Sequence, residues 1–270
     1  MANNYWAGKS ALITGASGGI GEDAARFLAK KGLHVILVAR SLDKLHTIAA
    51  QINAQGGKAS FYQSDLSQPA ARITLADKVL TEHGAPDILI NNAGMGWYGF
   101  FHLMPWSVAH GIIELNIMST THLTSLFLPD MLKLPKARII NIGSISGKLP
   151  EQGIALYSAS KAYLDAFTTC LYRELRGTNV TASVLRAGPV RTDFYSRAID
   201  LPSGGRVPGE IFAVKAQRIS AGIWNLIKHP TRFSYVPFYL TLSPLLETFF
   251  SWALDLVGPI LLKSGKKTPA

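Results

Sequence analysis

Short apolar runs alternate with longer stretches of helical periodicity along most of the chain. Residues 10–14, 35–39, 59–63, 88–91, 138–142 and 180–185 are rich in Val, Ile and Leu. Such runs suit strands of a parallel sheet buried on both faces. Between them, 19–31, 42–55, 70–82, 106–128 and 157–176 read as helices. Gly32, Gly56, Gly84 and Gly177 stand just past four of these, where helices commonly stop. Strand and helix in repeated alternation predict an α/β fold, a doubly wound parallel sheet with helices on both faces. Ligands of such sheets bind beyond the carboxyl ends of the strands. Residues 1–235 are expected to form this domain, and 236–270 an apolar helical extension.

Composition narrows the reading. The chain has 270 residues, 48% hydrophobic, enough for one sizeable core. Its net charge of +10 is spread out, with no dense basic tract, so no nucleic-acid partner is expected. Cys170 is the only cysteine, which excludes an internal disulfide and is compatible with a reducing compartment. The seven histidines show no ligand spacing, and no metal is expected. The opening residues lack the pattern of a signal peptide, so the expected location is cytoplasmic.

The first candidate chemistry follows the first strand. "TGASGGIG" at 14–21 places Gly15, Gly18, Gly19 and Gly21 between a strand and a helix, with Ser17 and Ile20 among them. Glycines let backbone N–H groups approach a pyrophosphate, and a helix N-terminus adds positive potential. The plainer alternative is a turn that only packs strand on helix. After the second strand, where many dinucleotide folds carry an acidic ribose ligand, this chain has Ala39 and then Arg40. A guanidinium pairs with a 2′-phosphate that a carboxylate would repel, so NADP(H) is favoured over NAD(H). Further on, Tyr157 precedes Lys161 by one helical turn. That spacing suits an acid/base pair, and equally two ordinary residues on one face.

The order of "TGASGGIG", "NNAG" at 91–94, Asn116, "NIGSISG" at 141–147 and "YSASK" at 157–161 resembles the short-chain dehydrogenase/reductase family in its compact form. The resemblance covers residues 8 to about 195. It implies Tyr157 as general acid/base, and Lys161 as the cation that lowers its pKa and holds the nicotinamide ribose. It implies Ser144 as hydrogen-bond partner of the substrate oxygen, and Asn116 as holder of a relay water. Asp65 and Leu66 would meet adenine, Asn92, Ala93 and Gly94 would lie along the cofactor, and Val190 and Thr192 would read the carboxamide. A phenol titrates near ~10 in water; a fixed ammonium and an oxidised nicotinamide would move it toward neutral. Two positions depart from the family pattern: Gly143 where a serine is common, and Ala187–Gly188 where Pro-Gly is usual.

Trp97, Tyr98, Phe100 and Phe101 follow the fourth strand and are expected on the ligand side, with Phe194, Tyr195 and Ile199 in a lid. This favours a lipophilic ketone, aldehyde or secondary alcohol. Beyond residue 236, Ser243, Glu247, Ser251 and Asp255 form a narrow polar stripe. Phe249, Phe250, Trp252, Leu254 and Leu256 cover the rest, and Lys263, Lys266 and Lys267 follow. Pro244, Glu247, Asp255 and Pro259 argue against a membrane span. A membrane surface, a partner subunit in a homodimer, or the protein's own pocket is expected to cover this segment. The resulting expectation is an NADP(H)-dependent carbonyl/alcohol oxidoreductase. The alternatives are a non-catalytic dinucleotide sensor and a peripheral membrane scaffold.

Overall fold

A computed structural model describes residues 5–205 and 213–264, the side chains of Leu254 and of 257–264 excepted. The strands are β1 (Ser10–Thr14), β2 (His34–Ala39), β3 (Lys58–Gln63), β4 (Ile88–Asn91), β5 (Ala137–Ser144), β6 (Val180–Ala187) and β7 (Phe233–Val236). The helices are α1 (Gly19–Lys30), α2 (Leu42–Ala54), α3 (Pro69–His83), α4 (Trp106–Ile112), α5 (Ser119–Met131), α6 (Ala155–Glu174), α7 (Phe194–Asp200), α8 (Ala216–Lys228) and α9 (Ser243–Ser264). The sheet is parallel throughout, in the order β3-β2-β1-β4-β5-β6-β7. This is the doubly wound fold the sequence predicts.

The side-chain period of a strand divides the core in two. Ala11, Ile13, Val35, Leu37, Ile88 and Ile90 face one way, against α1, α2 and α8. Leu12, Ile36, Val38 and Leu89 face the other way, against α3, α5 and α6. With both faces covered, the central strands carry nearly unbroken apolar runs. The predicted helix stops hold: Gly32, Gly56, Gly84 and Gly177 all have positive φ.

Three elements differ from the sequence expectation. The predicted helix 106–128 is α4 and α5 joined by a π-helical segment, Ile113–Met118. The pattern did not show β7, whose four residues are too few for a period, or α8, which carries Gly222 in its interior. A Cβ at Gly222 would come within 2.8 Å of Val236 Cγ2, so this glycine lets α8 close on β7. Val236 pairs with Ala187, and the sheet therefore runs to residue 236.

The chain pairs β1 with β2, moves out to β3, and returns to lay β4 on the other side of β1. The crevice where the order reverses opens at the carboxyl ends of β1 and β4. Gly21 sits where these loops meet: a Cβ there would collide with Gly15 O and come within 2.7 Å of Asn92 Nδ2. Gly21→Ala should therefore cost about 1–3 kcal/mol of unfolding free energy, as overpacked sites do. Urea denaturation checks this, and wild-type stability would show that the loops yield freely.

Candidate active site

The crevice is built from two loops tied together. Thr14 Oγ1 accepts from Asn92 N and Ala93 N, both at 2.9 Å, and Asn92 Nδ2 donates to Thr14 O at 2.9 Å. Gly15, with φ of 68°, lets Ala93 pass so close that a Cβ would lie 2.9 Å from its Cα. Gly18 precedes α1 with no side-chain cap, and Ser17, Gly18 and Gly19 line a cavity of about 760 Å³ with Lys44 and Thr192. Uncapped first-turn amides beside glycines are suited to a pyrophosphate. Ile20 is partly buried against the core behind this loop.

Arg40 is exposed at the end of β2; its carbonyl accepts from Gln63 Nε2, and its guanidinium has no ion pair among the described residues. Asp65 Oδ1 accepts from Ser67 N and Oγ, which fixes the turn after β3. Leu66 is a core residue packed in the second cluster, so its side chain is spent on folding. Val190 bridges to Val214, and Thr192 packs its methyl against Gly19 while its Oγ1 accepts from Phe194 N at 3.3 Å. The glycine loop, the exposed Arg40 and the strand-end residues fit a dinucleotide.

Along the crevice, α6 presents Tyr157, Ser160 and Lys161 on successive turns of one face. Lys161 is almost fully buried, and its Nζ donates to Ile142 O at the end of β5, 2.9 Å away. Asn116, in the π-helical segment, is fully buried. Its Oδ1 accepts from Met95 N, and its Nδ2 donates to Met95 O and Ser160 Oγ, at 2.9–3.0 Å. Ser160 in turn donates to Tyr157 O at 2.7 Å. Gly94 completes the contact, since a Cβ there would lie 3.2 Å from Asn116 Oδ1 and 3.7 Å from Lys161 Nζ. Ser144, the last residue of β5, lies beside the Tyr157 phenol; its Oγ donates to Ser146 Oγ and accepts from Ser146 N, both at 3.2 Å. The structure thus brings Asn116, Ser144, Tyr157 and Lys161 together.

Both departures from the family pattern have local reasons. A side chain at Gly143 would meet Val184 Cγ2 at 2.7 Å on the neighbouring strand. Ala187 continues β6, and Gly188 N then donates to Val236 O at 2.9 Å.

The electrostatics of the site start from burial. Burial pushes the Tyr157 phenol up to about 12, away from neutral, although the neighbouring Ser144 hydroxyl opposes this. Burial also lowers the Lys161 ammonium to about 8, and Asp165, one turn further along α6, pulls it partly back. The protein's own groups therefore do not bring the phenol toward neutral pH. The sequence reading missed Asp165, which is buried and paired with Arg186 Nε at 2.8 Å. It also missed Ser146 and Ser160. The available signal was polarity at otherwise buried helix and strand-end positions.

The aromatic expectations divide. Trp97 and Tyr98 are core residues, with Trp97 Nε1 donating to Pro202 O at 3.1 Å, so neither ring faces the crevice freely. Phe100 packs with Tyr98 and Ile154, and Phe101 is exposed. Phe194 is the ring at the site: its centroid lies 5.6 Å from that of Tyr157, and Gly96 makes room for it. Tyr195 packs edge-on against Phe194, and Ile199 is half-buried on α7.

The sequence model of the short chain dehydrogenase family matches residues 9–200. The chain belongs to the short chain dehydrogenase family. It is 37% identical over 183 residues to the ketoacyl reductase HetN of Nostoc sp. PCC 7120, covering 68% of this chain and 64% of that one. It is 37% identical over 188 residues to the fatty acyl-CoA reductase of Acinetobacter baylyi, covering 68% and 63%. The chain therefore spans less than two thirds of the length of these two relatives. A short-chain dehydrogenase from Sphingobium yanoikuyae in complex with NADPH superposes with a TM-score of 0.77 at 26% identity, covering 97% of this chain and 98% of that one.

Lys161 should titrate near 8 in the cofactor-free protein, as followed by NMR of isotopically methylated lysine. Asp165→Asn removes the carboxylate that favours the ammonium, so it should lower that value further. An unchanged or higher value would show that Asp165 does not act on Lys161.

Proposed function

We propose that this member of the family is an NADP(H)-dependent oxidoreductase that interconverts a carbonyl and an alcohol on a lipophilic substrate. The observation that carries the reading is the meeting of Ser144 and Tyr157 with buried Lys161 beside the Gly94 loop. NADP(H), when bound, supplies or accepts the hydride at the substrate carbon. Tyr157 holds the proton that passes to or from the substrate oxygen. Ser144 donates a hydrogen bond to that oxygen as negative charge develops on it. Lys161, held by Ile142 O, keeps a positive charge near the phenol and would meet the nicotinamide ribose. Asn116 clamps the Met95 loop to α6 through its side chain, and beside Lys161 it would hold a relay water. The loop Gly15–Ser17–Gly18–Gly19–Ile20–Gly21 would hold the pyrophosphate, Arg40 the 2′-phosphate, and Asp65 with the Leu66 main chain the adenine. Asn92, Ala93 and Gly94 would lie along the cofactor, and Val190 and Thr192 would hold the nicotinamide end.

The names of the two acyl-group reductases and the NADPH in the Sphingobium structure support this choice of cofactor and of an apolar substrate. So does Phe194 beside Tyr157.

Two substitutions test the reading. Tyr157→Phe keeps the ring and removes the proton carrier, so turnover with medium-chain ketones and aldehydes should fall about 10²–10⁴-fold. NADPH fluorescence titration should give nearly wild-type affinity; undiminished turnover would refute the role. Arg40→Asp should weaken NADPH by roughly tenfold or more, because a charged hydrogen-bonded pair is lost, and leave NADH little changed. Equal shifts for both would show that Arg40 does not select the cofactor.

A further inference from the structure

Helix α9 is turned inside out for a soluble domain. At about 100° per residue, Leu245, Leu246, Phe249, Phe250, Trp252 and Leu256 fall within one arc about 160° wide. All six are exposed, Trp252 by 66% and Phe249 by 67%. The first three residues of the polar stripe lie on the opposite side, toward the protein: Ser243 is buried, Glu247 and Ser251 are half-buried, and only Asp255, a turn further on, is exposed. The turn before α9 adds two more exposed rings, Phe238 at 82% and Tyr239 at 60%. An ordinary surface helix buries its apolar stripe and shows its polar one. An exposed apolar patch of this breadth marks a contact surface. Because the arc faces solvent, it does not cap the protein's own site.

We propose that this face docks on an anionic lipid bilayer surface. Three observations favour lipid over a second copy of the chain. A pair of helices covers a narrow seam, whereas this arc is broad and unbroken. Its Trp, Tyr and Phe content suits the head-group boundary. The chain carries a net charge of +10, and Lys263 in α9, followed in sequence by Lys266 and Lys267, is complementary to anionic head groups. No helix among the described residues is long and apolar enough to cross a membrane, so the mode is surface contact.

The position is specific. Pro237 and Leu240 pack on Gly188, just past the carboxyl end of β6. The docking face therefore leaves the sheet at the edge that carries the candidate site, and the crevice would open beside the lipid. The docking proposal stands on the surface alone and does not depend on the reaction.

Flotation of the full chain with phosphatidylcholine vesicles, with and without phosphatidylglycerol, tests it. The protein should float with the anionic vesicles and be released by high salt. The double variant Phe249→Ser/Trp252→Ser should partition at least about tenfold more weakly, because two rings no longer enter the apolar phase. Its melting temperature should stay at the wild-type value, since both positions are exposed. Brominated acyl chains should quench the wild-type fluorescence through Trp252 and should quench Trp252→Phe much less. Failure to float with any vesicle overturns the proposal. So does a homodimer, seen by light scattering, that the double variant dissociates while neither form binds lipid.

Discussion

Lys161 carries a charge to a place that water scarcely reaches, and the site is arranged around that constraint. Its ammonium is held by the carbonyl of Ile142 and favoured by Asp165, one turn along the same helix. Asp165 is itself buried and is held by Arg186 at 2.8 Å, with Lys148 at 3.7 Å. A buried charge persists only with such partners. The consequence is geometric as well as electrostatic: α6 cannot rotate or slide without breaking the Ile142 contact, so Tyr157 is fixed relative to the end of β5. That strand end also carries Ser144, which is how two residues thirteen positions apart come to face one another.

The second constraint is close approach of backbone at the switch point. Gly15, Gly21 and Gly94 each stand where a Cβ would crowd a neighbour from the other loop or from the catalytic set. Their absence of side chains lets the glycine loop, the Asn92–Gly94 loop and the Asn116–Lys161 group approach one another closely. Asn116 then acts as the joint: its side chain bonds both the Met95 loop and Ser160. The π-helical segment places it there, and such segments inside helices are frequent at functional sites.

Most of the fold was legible because buried parallel strands announce themselves as apolar runs and the glycines after helices mark the stops. β7 was not, since "FSYV" at 233–236 has no period to read. The candidate set Asn116, Ser144, Tyr157 and Lys161 was legible through ordered motifs rather than through spacing; the Tyr157–Lys161 interval alone would not have singled it out. Other features depend on long-range packing that no local pattern records. Trp97 looked like a substrate ring, yet it hydrogen-bonds Pro202 over a hundred residues away. Asp165 faces Arg186 on β6, a pairing across the fold that its own helix does not announce. Gly143 looked like a loss, yet it accommodates Val184.

The protein holds Ser144, Tyr157 and Lys161 in position but leaves the phenol poorly acidic, because burial outweighs the opposing effect of the Ser144 hydroxyl. On this account the positive charge of oxidised nicotinamide completes the electrostatics, so that the phenol becomes a usable base only in the complex. The direct measurement is the titration of Tyr157 by NMR of protein labelled at the tyrosine ring carbon that bears the hydroxyl, assigned with Tyr157→Phe, with and without NADP⁺. The account predicts a phenol at about 12 in the free protein that moves well below the ~10 of free tyrosine when NADP⁺ binds. A phenol that stays above its free value in the complex would contradict it.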